Sequence, residues 1–280
     1  MFPHTAKVGL GAVAALVVAG CGKLHFDELP RDADVPLIDG DAFIADPDAC
    51  VACGDLAAYF RFDEGAGTRT VDALDPANRI ATLENGATWG TGRHGSAVKF
   101  DGNLARITTA VVPGLDNIAS PTYGAWINPV DDGKDGFGVI VAKGGSGPTA
   151  TRRFLLNRKS ICTQAADCIE MTVSRATEDG DCLTVPDTAI PDQWHYVVGT
   201  FDGGGPRVYQ DGVEAEYIAS PTPGAGDALT DDATPYLIGG WADISTGGVF
   251  NGLIDDLRIY RRALSPTEIQ ALYAEAQLDN

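Results

Sequence analysis

Positive charge is scarce in this chain, with 20 Lys and Arg against 39 Asp and Glu and a formal charge of −19 over 280 residues. No basic cluster is longer than the pairs Arg152–Arg153 and Arg261–Arg262. The footprint that nucleic acid or an anionic headgroup requires is therefore missing. Histidine is limited to His4, His25, His94 and His195, each isolated in the sequence. A His-rich metal centre is excluded on that count, and nucleophilic catalysis has few bases to draw on. No apolar run approaches the roughly 20 residues of a membrane-spanning helix. What the chain has instead is 34 Gly, 16 Pro and 44% apolar residues, a mixture suited to a globular protein of many short strands joined by tight turns.

The amino terminus sets the compartment. A short polar start with Lys7 leads into an apolar and small stretch over residues 8–20, which has the length of a secretory leader's core and is too short to span a bilayer. Its end, Val18-Ala19-Gly20-Cys21, resembles the lipobox of bacterial lipoproteins. The resemblance implies cleavage before Cys21, diacylglycerol on its sulfur and acylation of the new amine; several acyl chains together anchor stably where one is marginal. Removing Lys7 with the leader takes the charge from −19 to −20. Gly22 after the Cys points to the outer membrane, on its periplasmic or cell-surface face. Residues 21–54 then read as the lipidated Cys and an acidic, Asp- and Pro-rich tether, without a period of 2 or 3.6.

Five cysteines follow the anchor: Cys50, Cys53, Cys162, Cys168 and Cys182. Export favours disulfides, and an odd number leaves one thiol over. Cys162 and Cys168 flank a five-residue turn between two candidate strands and form the preferred pair, although Cys182 could replace either. Cys50-Val51-Ala52-Cys53 has the spacing of a redox pair or half a zinc site. It lacks the strand and helix of the first and the second ligand pair of the other, so a structural disulfide at the domain's entrance is favoured.

From residue 56 onward, short β-branched and aromatic runs alternate with Gly, Asn, Asp and Pro clusters, the pattern of a sandwich or barrel. Candidate strands cover 56–62, 81–84, 97–100, 106–108, 122–127, 139–142, 154–157, 170–175, 194–201, 207–210, 213–217, 236–238 and 253–260. Asp211-Gly212 between two of them is a two-residue hairpin signal. One helix closes the chain: Ser265-Pro266-Thr267-Glu268 combines an N-cap, a Pro at the first helical position and a capping-box Glu, so a helix should run to about Ala276. Ile269, Leu272 and Tyr273 lie on the face that should dock on the sandwich.

Several of these segments together resemble the laminin-G-like, or concanavalin A-like, jelly-roll family. They are Tyr59-Phe60-Arg61-Phe62-Asp63-Glu64-Gly65, Ala97-Val98-Lys99-Phe100-Asp101-Gly102, Gly124-Ala125-Trp126-Ile127, Gln193-Trp194-His195-Tyr196-Val197, Val208-Tyr209-Gln210-Asp211-Gly212, Ile238-Gly239-Gly240, and 250–260 leading into the helix. The order matches over about 55–277, while 144–186 and 220–234 depart from the family pattern. The resemblance implies an all-β fold, a two-sheet antiparallel jelly-roll sandwich with a short C-terminal helix. It further implies a binding module for an extracellular or cell-wall glycan, or for a surface protein. A glycan-cleaving enzyme of the same fold and a purely structural envelope component are the alternatives.

Chemistry is thin. Glucanases of this fold place two or three carboxylates on alternate positions of one strand. Around Glu170 those positions hold Thr172 and Ser174. Asp255 and Asp256 are adjacent and should point to opposite faces of their strand. His195 reads as a structural histidine, and Gly144-Gly145-Ser146-Gly147 lacks the context of a phosphate loop. No catalytic residue is assigned. Asp131-Asp132-Gly133-Lys134-Asp135-Gly136 fails as an EF-hand because Ala142 stands at its twelfth position. The family resemblance leaves a possible structural Ca²⁺ on Asp101, Asn103 and Asp255. A lectin site would stack sugar on an exposed aromatic ring, and Trp241, in the loop after Gly239-Gly240, is the candidate; Trp126, Trp194 and Trp89 read as core.

Overall fold

The computed structural model describes residues 51–277 apart from 112–113, 117, 145–151, 163–165, 175–178, 184–190, 218–233 and 242–247. Two antiparallel sheets face each other. In chain order the strands are β1 (Leu56–Phe60), β2 (Arg69–Val71), β3 (Ile80–Glu84), β4 (Thr88–Thr91), β5 (Ser96–Asp101), β6 (Arg106–Thr109), β7 (Thr122–Pro129) and β8 (Phe137–Gly144). They continue with β9 (Arg152–Cys162), β10 (Ala166–Ser174), β11 (Asp179–Leu183), β12 (His195–Phe201), β13 (Pro206–Gln210), β14 (Val213–Glu214), β15 (Tyr236–Ile238) and β16 (Asn251–Tyr260). The first sheet runs β14-β13-β12-β7-β16-β5-β4, with β1 also on β16; the second runs β11-β10-β9-β8-β15-β6-β3-β2.

The alternation of each strand builds the core. Ala58 and Phe60 of β1, Val98 and Phe100 of β5, Ala125 and Ile127 of β7, Ile107 of β6 and Ile254, Leu257 and Ile259 of β16 all meet between the sheets. Their odd-numbered or even-numbered neighbours then face outward, as the two-residue period requires. A second apolar layer covers the first sheet's outer face. Helix α1 (Pro266–Ala276) lays Ile269, Leu272 and Ala276 on Trp126, Tyr196, Val198, Tyr209 and Tyr260. Its start is the expected capping box: Ser265 Oγ accepts from the Glu268 N–H and Glu268 accepts from the Ser265 N–H. The Arg262 guanidinium, with help from Ser265, holds the Glu268 carboxyl down to about 2. Tyr273 stacks on Tyr196 and packs tilted against Trp126, at centroid distances of 6.3 and 6.0 Å.

The hairpin β13–β14 turns on Asp211 and Gly212, both at positive φ (51° and 79°), the geometry an Asp-Gly pair favours. Three strands escape the sequence reading: β2, β4 and β11. The first two have three and four residues, too few to display a period, and β11 (Asp-Gly-Asp-Cys-Leu) has a turn-like composition that register with β10 overrides. Ordered packing also begins ahead of β1: Val51, at the end of the expected tether, donates its N–H to Glu275 on α1, and Val51 and Ala52 pack beside the helix. Among the described residues no helix is long and apolar enough to cross a membrane.

Candidate functional site

The densest polar cluster sits on the outer face of the first sheet, around a bulge in β16. Asp255 pairs with Trp126 of β7 and Arg258 with Gly124, so three steps on β16 oppose two on β7. Asp256 absorbs the extra residue at φ 49°, a left-handed conformation Asp tolerates better than most side chains. The bulge brings both carboxylates to one place and corrects the expectation that they point to opposite faces. Asp255 Oδ2 accepts from the backbone N–H groups of Arg93 and His94 at 2.8 and 3.2 Å, and its Oδ1 from the Asp256 N–H at 2.9 Å. Asp256 Oδ1 accepts from the Tyr59 hydroxyl at 2.6 Å, and its Oδ2 lies 2.6 Å from His94 Nδ1.

The turn between β4 and β5 delivers His94, and Gly92 makes this approach possible. A Cβ there would sit 2.3 Å from the His94 carbonyl oxygen and 2.6 Å from Asp255 Oδ2. Arg258 completes the cluster, its guanidinium 4.7 Å from the centre of the Tyr59 ring and 3.1 Å from Glu275 Oε1 on α1. Burial, then repulsion from Asp256, pushes the Asp255 carboxyl up to about 8 against the pull of its three N–H donors. The same two causes raise the Tyr59 hydroxyl well above its usual range. A perturbed Asp255 carboxyl and a buried His–Asp pair have the ingredients of acid–base chemistry. Here, however, each carboxylate oxygen is engaged by a protein group and α1 closes the face. The cluster ties β1, the β4–β5 turn, β16 and the helix together. Sequence reasoning missed His94 as a partner because no local pattern links it to residues 162 positions away; the only signal was an Asp-Asp pair where a bulge can form.

The expected site residues are scattered. Asp101 Oδ1 accepts from the N–H groups of Asn103, Leu104 and Ala105, closing its own turn. Burial alone would raise that carboxyl, but the three donors outweigh it and hold it below its ordinary value. Asp101 pairs with Asn251, four residues along β16 from Asp255. Asp255 therefore lies about 13 Å away along the strand. Asp101 and Asp255 do not converge, Asp101 Oδ1 and both Asp255 oxygens already serve backbone donors, and no His/Cys/Asp/Glu group able to hold a metal exists among the described residues. The calcium expectation does not fit this geometry. Trp241 is a second correction: it is only 9% exposed, stacked on Phe137 at 6.0 Å beside Val139 and Ala142. Following two glycines, it folds back on the sheet, where its apolar area is better covered than in solvent. Its ring is not an open platform.

His195 lies 2.8 Å from Asp211, whose other oxygen accepts from the Tyr196 N–H at 2.9 Å. It braces the β12–β13 hairpin, as a structural histidine would. Cys53 and Cys168 are each disulfide-bonded; Cys21 and Cys50 lie outside the described residues, as do the side chains of Cys162 and Cys182. Glu170, on the outer face of the second sheet, accepts from Asn157 Nδ2 at 3.2 Å. Its same-face neighbour on β10 is Thr172; across the strands Glu170 pairs with Asn157 of β9 and Leu183 of β11, and Thr172 pairs with Asp181.

Open cavities also occur among the described residues, two of which bear on binding. One, of about 450 Å³, lies against the start of α1, between Arg207, Tyr209 and Arg262. Both guanidiniums are neutralised: Arg207 by Glu214 at 2.9 Å, and Arg262 by Asp55 and Glu268 at 2.6 Å each. The other is a groove of about 350 Å³ on the outer face of the second sheet, over β2, β3 and β6. Ala81, Leu83 and Ile107 point into the core, so Thr82, Glu84 and Thr108 lie on the groove side, with Arg106 on the same face beside Glu84. Register places Arg69, Thr82, Thr108 and Leu237 in one row across four strands. Arg106 bridges to Glu84 at 2.8 Å and donates to the Trp241 carbonyl at 3.1 Å. The Thr108 hydroxyl has no hydrogen-bond partner.

Comparison with known proteins agrees with this architecture. Over 205 residues the chain is 26% identical to the adhesion G-protein coupled receptor V1 of Danio rerio, covering 71% of this chain but spanning only 3% of that receptor's length. Among solved structures, domain 4 of AbnA, a GH43 extracellular arabinanase from Geobacillus stearothermophilus in complex with arabinotriose, superposes with a TM-score of 0.57. The identity is 20%, over 78% of this chain and 98% of that one. The Trypanosoma rangeli sialidase gives a TM-score of 0.57 at 17% identity, over 80% of this chain and 33% of that one. At such identities the likeness is one of fold. The model of the concanavalin A-like lectin/glucanases superfamily matches residues 101–270, more than half of the chain, and the protein belongs to that superfamily.

Proposed function

We propose that this protein is an exported, lipid-anchored cell-envelope module that binds an extracellular glycan on the outer face of its second sheet and does not cleave it. The observation that carries the reading is the groove over β2, β3 and β6. Threonines, Glu84 and Arg69 line an open sheet face there, offering donors and acceptors at the spacing of neighbouring strands. Convergent polar groups over a concave floor are what sugar hydroxyls require. Anchoring is supported by Val18-Ala19-Gly20-Cys21 behind a short apolar leader, and the outer membrane by Gly22. The Asp255–Asp256 pair, buried with every carboxylate oxygen engaged by a protein group, supports binding without turnover. The arabinotriose-bound arabinanase domain adds analogy of fold only. A protein partner is the second reading, favoured by the likeness to an adhesion receptor.

The test is a glycan array probed with the labelled protein and with Thr82→Trp, which fills the groove from an exposed strand position. Binding that Thr82→Trp abolishes and EDTA leaves intact is the expected result. Binding untouched by Thr82→Trp would move the site elsewhere; an empty array would favour the protein partner or a scaffold. Release of new reducing ends from any array glycan would replace binding with catalysis.

A further inference from the structure

Among the described guanidiniums one has neither an ion pair nor a hydrogen bond, and it sits at a revealing position. Arg61, Arg79, Arg106, Arg158, Arg207, Arg258 and Arg262 all pair with carboxylates. Arg93 donates to Gln277 and lies 5.0 Å from the Trp126 ring, and Arg261 donates to the Gly114 carbonyl. Arg69 stands apart: no hydrogen bond or ion pair engages its side chain, although acidic residues outnumber basic ones about two to one in this chain. It is exposed on β2, directly across from Thr82, at the rim of the groove described above.

From this juxtaposition we infer that the groove selects a glycan unit bearing a carboxylate, a uronic acid, with Arg69 as its recognition residue; the inference rests on the glycan-binding reading of the same groove. A guanidinium presents a planar fork of N–H donors matched to a carboxylate, and charge-assisted bidentate contacts are the strong ones. The neighbours complete the fit. Thr82, exposed directly across from Arg69, offers its hydroxyl to the sugar ring, and the Arg106–Glu84 pair is already neutral and leaves the Arg69 charge uncompensated at the rim. The surroundings also limit the ligand. Glu64 binds β2, its Oε1 accepting the Val71 N–H at 2.8 Å, and the chain as a whole is strongly acidic. A dense polyanion such as a sulfated glycan is repelled by that field, whereas a single carboxylate within reach of one guanidinium is screened from it beyond a Debye length of roughly 8 Å.

Isothermal titration of the full chain against matched trisaccharides tests this: oligogalacturonate, oligoglucuronate and oligomannuronate, each beside its methyl ester, which keeps the ring and removes the charge. The expected result is that at least one acid form binds roughly tenfold or more tighter than its ester. Arg69→Gln should bring that acid down to the ester's affinity and leave the ester unchanged, with Arg69→Lys intermediate. Arg69 is exposed and unpartnered, so the variant should fold, and circular dichroism confirms it. Equal affinity of acid and ester for the unmodified protein, or a preference that survives Arg69→Gln, overturns the inference. If neutral glycans still bind in a Thr82→Trp-sensitive way, the groove reading stands without it; if no acid, ester or neutral glycan binds, both fall.

Discussion

Asp256 is the most informative residue to perturb, because its cost can be worked from its partners. Its carboxylate is 5% exposed and has two contacts at 2.6 Å, the Tyr59 hydroxyl and His94 Nδ1. Truncation to Ala strands both partners in a buried setting, at roughly 1–3 kcal/mol for each unsatisfied group. It also places an Ala at φ 49°, adding about 1 kcal/mol of left-handed strain. Asp256→Ala should therefore cost about 3–7 kcal/mol, a large share of the ~5–15 kcal/mol that holds a typical domain together. Tyr59→Phe removes one charge-assisted hydrogen bond and keeps the ring that Arg258 packs on, for about 1.5–3 kcal/mol. In the double variant no Tyr59 hydroxyl is left to be stranded, so the two effects should overlap by about 1–3 kcal/mol. Urea unfolding followed by far-UV circular dichroism measures all three. Additivity within about 0.5 kcal/mol, or an Asp256→Ala cost below about 1 kcal/mol, would refute the idea that this bulge is an energetic junction.

Two further outcomes follow from the packing. The Asp255 carboxyl is raised to about 8 in the fold against 3.8 for the free group, so its contribution to stability is full below about pH 4 and is lost as pH rises through about 8. Urea midpoints should decline across that window, by at most ~1.4 kcal/mol per pH unit from this group, and Asp255→Asn should flatten the decline whatever it does to the absolute level. Gly239→Ala would push a Cβ to within 2.0 Å of the Phe100 ring at φ +75°, whereas Gly203→Ala, at φ +94°, meets nothing within 4 Å. The first should lose about 2–4 kcal/mol in thermal unfolding and the second only about 1–2 kcal/mol; equal losses would show that backbone conformation, not the inter-sheet contact, sets the requirement for glycine.

Much of the molecule is legible without coordinates because its cues are local. The apolar alternation in 56–62, 122–127 and 253–260 builds one face of the core, the Asp211-Gly212 pair turns its hairpin, and Ser265 with Glu268 caps the helix. Each of these signals lies within a dozen residues, so periodicity and turn chemistry suffice. The site is different. Trp241 reads as an exposed loop aromatic from its Gly-Gly prelude, yet Phe137 lies more than a hundred positions away in sequence and covers it. Asp101 and Asp255 share acidic chemistry but are separated along a strand pair whose register no local pattern specifies.

The chain by itself determines that the protein is a two-sheet sandwich with a capped terminal helix, because strand period, turn residues and helix caps are written in neighbouring side chains. Only the tertiary structure decides which polar groups meet. One extra residue in β16 turns two carboxylates toward His94 and Tyr59, and the register of β2, β3 and β6 leaves Arg69 unpaired beside a row of hydroxyls. Both depend on strand pairing between distant segments, and a shift of a single residue would send every one of those side chains to the opposite face.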